Sequence, residues 1–300
     1  MILYVGNTNS NIQKRIVGVK HFCFEPAGKR RGHLPNPDCK VLLDSGAFAD
    51  VKKKRLSFNA ALERQLEYER HNGFVSERIV SYDTLIDEQL QGDRQIKSRW
   101  NEKAGWGAVK TTLAAAEFLS NHRKELEPRQ LVLSCQGVTA EQYIACMKDL
   151  LQIAEPQDCI GLGGWCIVGQ QRHLAGLFWD AMNVCLPLIA EKCRDVHVFG
   201  LSWFPLVREF AIRCRALGLN ASNDTSRFYF ELSRGKMFFP DDGRSLYVRA
   251  DLTPAIGFYS SQMRSRRNLA ADAELAIHNI ETAYEFVRQI ETWKPEGALF

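Results

Sequence analysis

The sequence predicts a (β/α)8 barrel of the TIM type. Three observations lead there. Short apolar or β-branched runs recur about eight times, helical periodicity fills most of the intervals, and 300 residues lie somewhat above the ~250 typical of such a barrel. Strand then helix, repeated, means parallel strands joined by helical crossovers. A doubly wound open sheet satisfies the same alternation and is the second reading.

The first strand is read as ILYV (2–5) or, alternatively, VKHFCF (19–24). KVLLD (40–44), RIVSYD (78–83), QLVLSC (130–135), CIGLG (159–163), VHVFG (196–200), LNASND (219–224) and SLYVRA (245–250) follow. Helical periodicity marks SFNAALERQLEYERHNG, WGAVKTTLAAAEFLSNHRKE, VTAEQYIACMKDLLQIA, LAGLFWDAMNVCLPLIAEK and PLVREFAIRCRALG. Thr139 with Gln142 three residues on fits a capping box, Pro205 a first helical turn, and Gly218 a C-terminal stop. Residues 6–39 show no clear helix, and PAGKRRGHLPNPD reads as a loop. A long helix rich in Ala, Glu and Leu is predicted over 269–292 and closes the structure. No repeat or linker divides the chain, so residues 1–300 are read as one domain.

Composition narrows the class. Hydrophobic residues at 45% and charged residues at 25% exclude a disordered, collagen-like or coiled-coil chain. No apolar run approaches the ~18 residues of a membrane span. The N-terminus MILYVGNTNSNIQKR lacks the order of a signal peptide, so a cytoplasmic protein is expected. The nine cysteines form no C-x-x-C pair and several sit in apolar runs, which suits buried free thiols. Lys plus Arg exceeds Asp plus Glu by 39 to 35, and this excess of +4 permits a nucleic-acid partner without implying one. Lys29-Arg30-Arg31, Lys52-Lys53-Lys54-Arg55 and Arg264/Arg266/Arg267 are the clusters that would meet phosphates if they share a face.

In a parallel barrel the active site forms where the strands end, so the informative residues follow each apolar run. KVLL ends in Asp44-Ser45-Gly46, IVSY in Asp83, LVLSC in Gln136-Gly137, IGL in Gly163-Gly164, and LNASN in Asp224, while HVFG runs on into Ser202. Asp in a turn is common for local reasons, and only the whole set on one rim points to chemistry. Two carboxylates facing a sugar carbon can divide the work of nucleophile and general acid/base. An amide offers donor and acceptor together, which suits a nucleobase edge, and strand-end glycines let a flat ligand approach. There is no G-x-G-x-x-G and no G-x-x-x-x-G-K-[ST], so dinucleotide or nucleotide-triphosphate use is not supported.

At these residues the sequence resembles the tRNA-guanine transglycosylase superfamily, whose members exchange guanine for a 7-deazaguanine in a nucleic acid. Asp44-Ser45-Gly46-Ala47-Phe48 resembles the Asp-Ser-Gly-Gly-Phe/Tyr motif, and Ser81-Tyr82-Asp83 falls at the second-strand aspartate. Gln136-Gly137, Gly163-Gly164, Phe199-Gly200 and Asn223-Asp224-Thr225-Ser226 follow in the family's order, from about residue 40 to 250. The resemblance implies that Asp224 attacks C1′ of the target nucleotide and that Asp44 moves the protons. It implies that Asp83, Gln136, Gly163 and Gly164 read the base edge while Phe48 and Phe199 cover its faces. A buried aspartate near a second one is expected to have a raised pKa. The target nucleotide must be flipped out, because C1′ is inaccessible within a stacked helix.

The departures steer the expectation. The tRNA enzymes carry a zinc site of three cysteines and a histidine, but no cysteine follows Cys214 here, and a lone His278 on a helix suits a structural role. No metal and no cofactor are expected, and the barrel is expected to lack the zinc subdomain. Ala47 stands in place of a glycine and is expected to narrow the base site by one methyl. Trp165 replaces a smaller residue after Gly-Gly. The compact, zinc-free pattern is most similar to the DNA-directed, DpdA-like branch, which implies DNA as partner, a 7-deazaguanine as substrate and room for a DNA-opening partner protein. A tRNA substrate, a silent nucleic-acid-binding paralogue and a barrel enzyme acting on a small glycoside or nucleoside are the alternatives.

Overall fold

The computed structural model describes residues 1–6, 10–26, 34–50, 55–84, 102–166, 172–225, 236–238, 245–247 and 269–290. Eight parallel strands close into a barrel: β1 (Ile2–Gly6), β2 (His21–Phe24), β3 (Lys40–Leu43), β4 (Arg78–Val80), β5 (Gln130–Cys135), β6 (Cys159–Leu162), β7 (Asp195–Val198) and β8 (Asn220–Thr225). Closure runs through β8 and β1, where Ile2 lies beside Ser222 and Tyr4 beside Asp224. Alternation along each strand sorts its side chains. On β5, Leu131, Leu133 and Cys135 join the outer core, while Val132 packs inside the barrel with Tyr4, Cys23, Leu42, Val80 and Cys159.

The outer layer holds the crossover helices, of which six among the described residues are long: α1 (Phe58–Asn72), α2 (Glu102–Asn121), α3 (Ala140–Ile153), α4 (Ala175–Lys192), α5 (Phe204–Ala216) and α6 (Leu269–Gln289). Local chemistry sets their ends. Ser57 caps α1 by accepting from the Ala60 N–H at 3.2 Å, and Gly73 ends it in a left-handed conformation (φ 71°). Thr139 caps α3 by accepting from Gln142 N–H at 3.2 Å, while the Gln142 amide oxygen accepts from Val138 N–H, one residue short of the reciprocal partner a capping box has. Pro205 sits in the first turn of α5, and past its end Gly218 is left-handed (φ 72°), with Leu219 N–H reaching back to Cys214 O.

Three readings change. ILYV and HFCF are not alternatives, since both are barrel strands, and the one-turn helix Ser10–Gln13 lies between them, with Ile12, Ile16 and Val19 buried. The segment read as an eighth strand stands apart, its Ser245–Tyr247 pairing antiparallel with Lys236–Phe238. The strand read as 78–83 also ends early: Asp83 N–H donates to Ser81 O, a tight turn that sends Tyr82 to the outer layer and Asp83 toward Gln136. α6 takes the place of the eighth barrel helix. It buries Ile277, Ile280, Phe286 and Val287, packs Phe286 against Phe204 at 4.9 Å, and sets the Tyr284 hydroxyl against His21 Nδ1 at 3.1 Å.

At the end opposite the site, charged side chains tie neighbouring elements together. Glu69 of α1 is buried and accepts from Arg129 Nε and from Ser76 N–H at 2.9 Å. Its removal strands the Arg129 guanidinium in a poorly solvated place. Glu69→Ala is expected to lower unfolding stability by about 3–5 kcal/mol, read from urea denaturation, and Arg129→Ala should cost a comparable amount if the pair is the cause. Among the described residues no helix is long and apolar enough to cross a membrane.

Candidate active site

The barrel mouth gathers the residues that end its strands. Asp44 continues β3, its N–H donating to Phe24 O at 2.9 Å and its Oδ1 accepting from Ser45 N–H at 2.7 Å. Gly46 then turns the chain with φ 73° into the one-turn helix Ala47–Asp50. Helix α1 clamps this turn from outside. The buried Gln65 amide donates to Asp44 O at 3.1 Å and Val80 O at 3.0 Å, and Arg64 donates to Ser45 O and to Asp50 Oδ2, both at 2.8 Å. Tyr82 adds its hydroxyl to Asp50 at 2.8 Å beneath the Arg55 guanidinium. The carboxylate of Asp44 thus sits on a rigid strand end.

Its environment favours the protonated acid. Burial, then the charges of Asp224, Glu25 and Asp83, push Asp44 up to about 8, against the pull of the Ser45 N–H. The same field acts on Cys23, whose thiol is pushed up by burial first and then by Asp224 and Asp44. Asp224, at the end of β8, accepts on Oδ1 from the Gly200 N–H at 3.0 Å and contacts His197 Nε2 at 3.1 Å with the same oxygen. Its Oδ2 has no hydrogen-bond partner among the described residues.

Opposite them lies a buried pair. Gln136 donates from Nε2 to Asp83 Oδ2 at 2.5 Å, and its own Oε1 is buried with no partner among the described residues. Gly163 makes room for this amide, since a Cβ there would stand 2.1 Å from Gln136 Nε2. Gly164 has φ 84° and lies beside Gln136 Oε1. Gly161 likewise accommodates Phe199, because a Cβ would come within 2.7 Å of the ring, which also meets the His197 ring edge-on at 4.7 Å. Gly163→Ala is expected to cost roughly 1–3 kcal/mol of stability by overpacking. In a double-mutant cycle with Gln136→Ala most of that cost should vanish, and simple additivity would show that the amide is not what the methyl meets.

The structure therefore brings Asp44, Asp83, Gln136, Gly163, Gly164, Phe199 and Asp224 to one end of the barrel. Phe48 falls in the Ala47–Asp50 turn, and its side chain lies outside the described residues, as do Arg264, Arg266 and Arg267. Ala47 is buried in a small cluster with Ala61 and Tyr82, so its methyl packs against α1 and Tyr82. Trp165 is buried, donating from Nε1 to the Tyr143 hydroxyl at 3.0 Å and packing edge-on against Phe178. Among the described residues no group of three or more His, Cys, Asp or Glu side chains is arranged to hold a metal ion.

Sequence reasoning missed the second tier of the site. His197, Ser222 and Arg78 lie inside the barrel below Asp224, linked by hydrogen bonds, and Gln65 and Arg64 brace it from α1. A signal existed: in VHVFG and NASND, His197 and Ser222 alternate onto the same faces as Phe199 and Asp224. Reading only the residues beyond each run passed over them. Neither a protein-family model nor a curated protein matches the chain.

Proposed function

We propose that the protein is a base-exchange transglycosylase that replaces guanine in DNA with a 7-deazaguanine, such as 7-cyano-7-deazaguanine. One observation carries the reading: Asp44, held protonatable near neutrality, shares a barrel mouth with Asp224, whose Oδ1 is occupied and whose Oδ2 is not hydrogen-bonded among the described residues. Such a pair supports acid-assisted displacement at a glycosidic carbon. Asp224 Oδ2 attacks C1′, the C1′–N9 bond breaks with its electron pair going to guanine, and the Asp44 proton neutralises the departing base. In the second half the incoming base gives its proton to Asp44, attacks C1′ and displaces Asp224, so each carboxyl returns to its starting state.

The opposite wall supports a guanine-type base. Gln136 Oε1 is a buried acceptor without a partner among the described residues, next to the Asp83 carboxylate, and guanine presents N1–H and a 2-amino group as donors. Phe199 supplies an aromatic face. A nucleotide reaches this depth only when flipped from its stack. The resemblance to the DNA-directed branch supports DNA over tRNA.

The test incubates the protein with labelled 7-deazaguanine base and duplex DNA, single-stranded DNA or tRNA, followed by nucleoside mass analysis. Label in DNA is the expected result. Label in tRNA alone overturns the choice of polymer, and cleavage of free nucleosides without any polymer overturns base exchange itself.

A further inference from the structure

Below Asp224 the barrel interior contains an unbroken line of hydrogen bonds. Arg78 Nη1 donates to Ser222 Oγ at 2.8 Å, Ser222 Oγ lies 3.0 Å from His197 Nδ1, and His197 Nε2 lies 3.1 Å from Asp224 Oδ1. Arg78, Ser222 and His197 are all buried. They come from β4, β8 and β7, so only barrel closure assembles them.

Donor and acceptor arithmetic fixes the direction of the line. Arginine has no acceptor, so Ser222 Oγ accepts from Arg78 and keeps one proton to place. That proton can point to Val196 O at 3.3 Å or to His197 Nδ1 at 3.0 Å. In the first case Nδ1 must carry the ring proton, and a neutral ring then sets the Nε2 lone pair against the Asp224 oxygen. In the second, Nε2 carries the proton and donates it to Oδ1, and every contact along the line is satisfied. A doubly protonated ring would satisfy the line too, but burial disfavours the charge and pulls His197 down, with Arg78 adding to that and the Asp224 carboxylate opposing it. The ring also meets the Tyr4 and Phe199 rings edge-to-face, with centroids at 5.9 and 4.7 Å.

We infer that His197 is a positioning residue, locked by Ser222 and Arg78 in its Nε2–H tautomer, which together with the Gly200 N–H occupies Oδ1 of Asp224 and leaves Oδ2 as the attacking atom. This deepens the proposed reaction and rests on Asp224 as its nucleophile. The lock makes one carboxylate oxygen a fixed anchor and the other the nucleophile, so the attack trajectory is set before the nucleotide arrives. Arg78 is anchored in turn, its Nη2 lying 3.5 Å from Asp195 Oδ1, a carboxylate that also accepts from Gln130 at 2.9 Å.

Nitrogen-15 NMR of the histidine-labelled full chain reads the tautomer whether or not exchange occurs. Nε2–H with an unprotonated Nδ1 is expected for His197 in the wild type, and a loss of that preference is expected in Ser222→Ala. An Nδ1–H tautomer, a doubly protonated ring near neutral pH, or a Ser222→Ala spectrum identical to wild type overturns the lock. The second arm measures single-turnover formation of the covalent nucleic-acid adduct. His197→Ala should slow it roughly 10- to 100-fold, the effect of one hydrogen bond to a charged group, with KM for the polymer unchanged. His197→Gln, which retains an N–H near the position of Nε2, should recover most of the rate. A folded His197→Ala protein with the wild-type rate overturns the positioning role. A wild-type protein that forms no adduct yet shows the Nε2–H tautomer overturns the proposed reaction and leaves the lock standing.

Discussion

Asp224→Asn is expected to abolish the covalent adduct and to lower base exchange by about 10³- to 10⁴-fold, the scale of losing a catalytic nucleophile or its partner. The substitution is chosen because the site can hold the amide in the same pose. The Asn carbonyl can accept from the Gly200 N–H and the His197 Nε2–H as Oδ1 does, which places the amide nitrogen where the attacking oxygen stood. Folding should therefore survive, with stability changed by less than about 1–2 kcal/mol. The measurement is a denaturing gel of protein with oligonucleotide in the absence of exchangeable base, next to the rate of label incorporation. An adduct that persists in Asp224→Asn and disappears in Asp44→Asn would assign the two carboxylates the other way round.

How much of this was legible beforehand depends on how far apart in the chain the deciding partners lie. Strand ends were legible because an apolar run stops where its side chains leave the core, and Asp44, Asp83, Gln136 and Asp224 all stand at such stops. The cap at Thr139 and the stop at Gly218 were legible because their bonds span three to five residues. SLYVRA was misassigned because a short β-branched run has the same pattern in a barrel strand and in an antiparallel pair, and only its partner at Lys236–Phe238 separates the two. The inward faces of His197 and Ser222 follow from strand alternation, but their link through Arg78 does not. Arg78 and Ser222 are 144 positions apart, and an inward arginine in RIVSY reads as an ordinary strand edge until closure brings Ser222 beside it. Gly163 was read as a platform for a flat ligand, whereas its missing Cβ first of all makes room for Gln136.

Adduct formation should follow the protonation of Asp44, flat on the acid side and falling about tenfold per pH unit above about 8. Departure of guanine uses the Asp44 proton, so that step is lost as the carboxyl ionises. The return step needs the carboxylate and gains over the same range, so complete exchange should peak near pH 8 while single-turnover adduct formation does not. Asp44→Asn should flatten both limbs and slow adduct formation by about 10²- to 10⁴-fold. Stability carries the same titration with a definite sign. The folded value of about 8 stands above the ordinary 3.8, so the stabilisation is fully present below about pH 4 and is lost as pH rises through 8. Asparagine has no charge to bury there. Asp44→Asn should thus be more stable than wild type at pH 8 to 9, by about 5 kcal/mol for the full shift from 3.8 to about 8, a margin that shrinks away toward pH 4. Parallel stability curves across that range would mean that burial and the neighbouring carboxylates do not act on Asp44. Because Asp224 is the largest of those neighbouring charges, the stability profile of Asp224→Asn should place the Asp44 titration at lower pH than wild type does. An unmoved titration would separate the two carboxylates and remove the electrostatic basis for pairing an acid with a nucleophile.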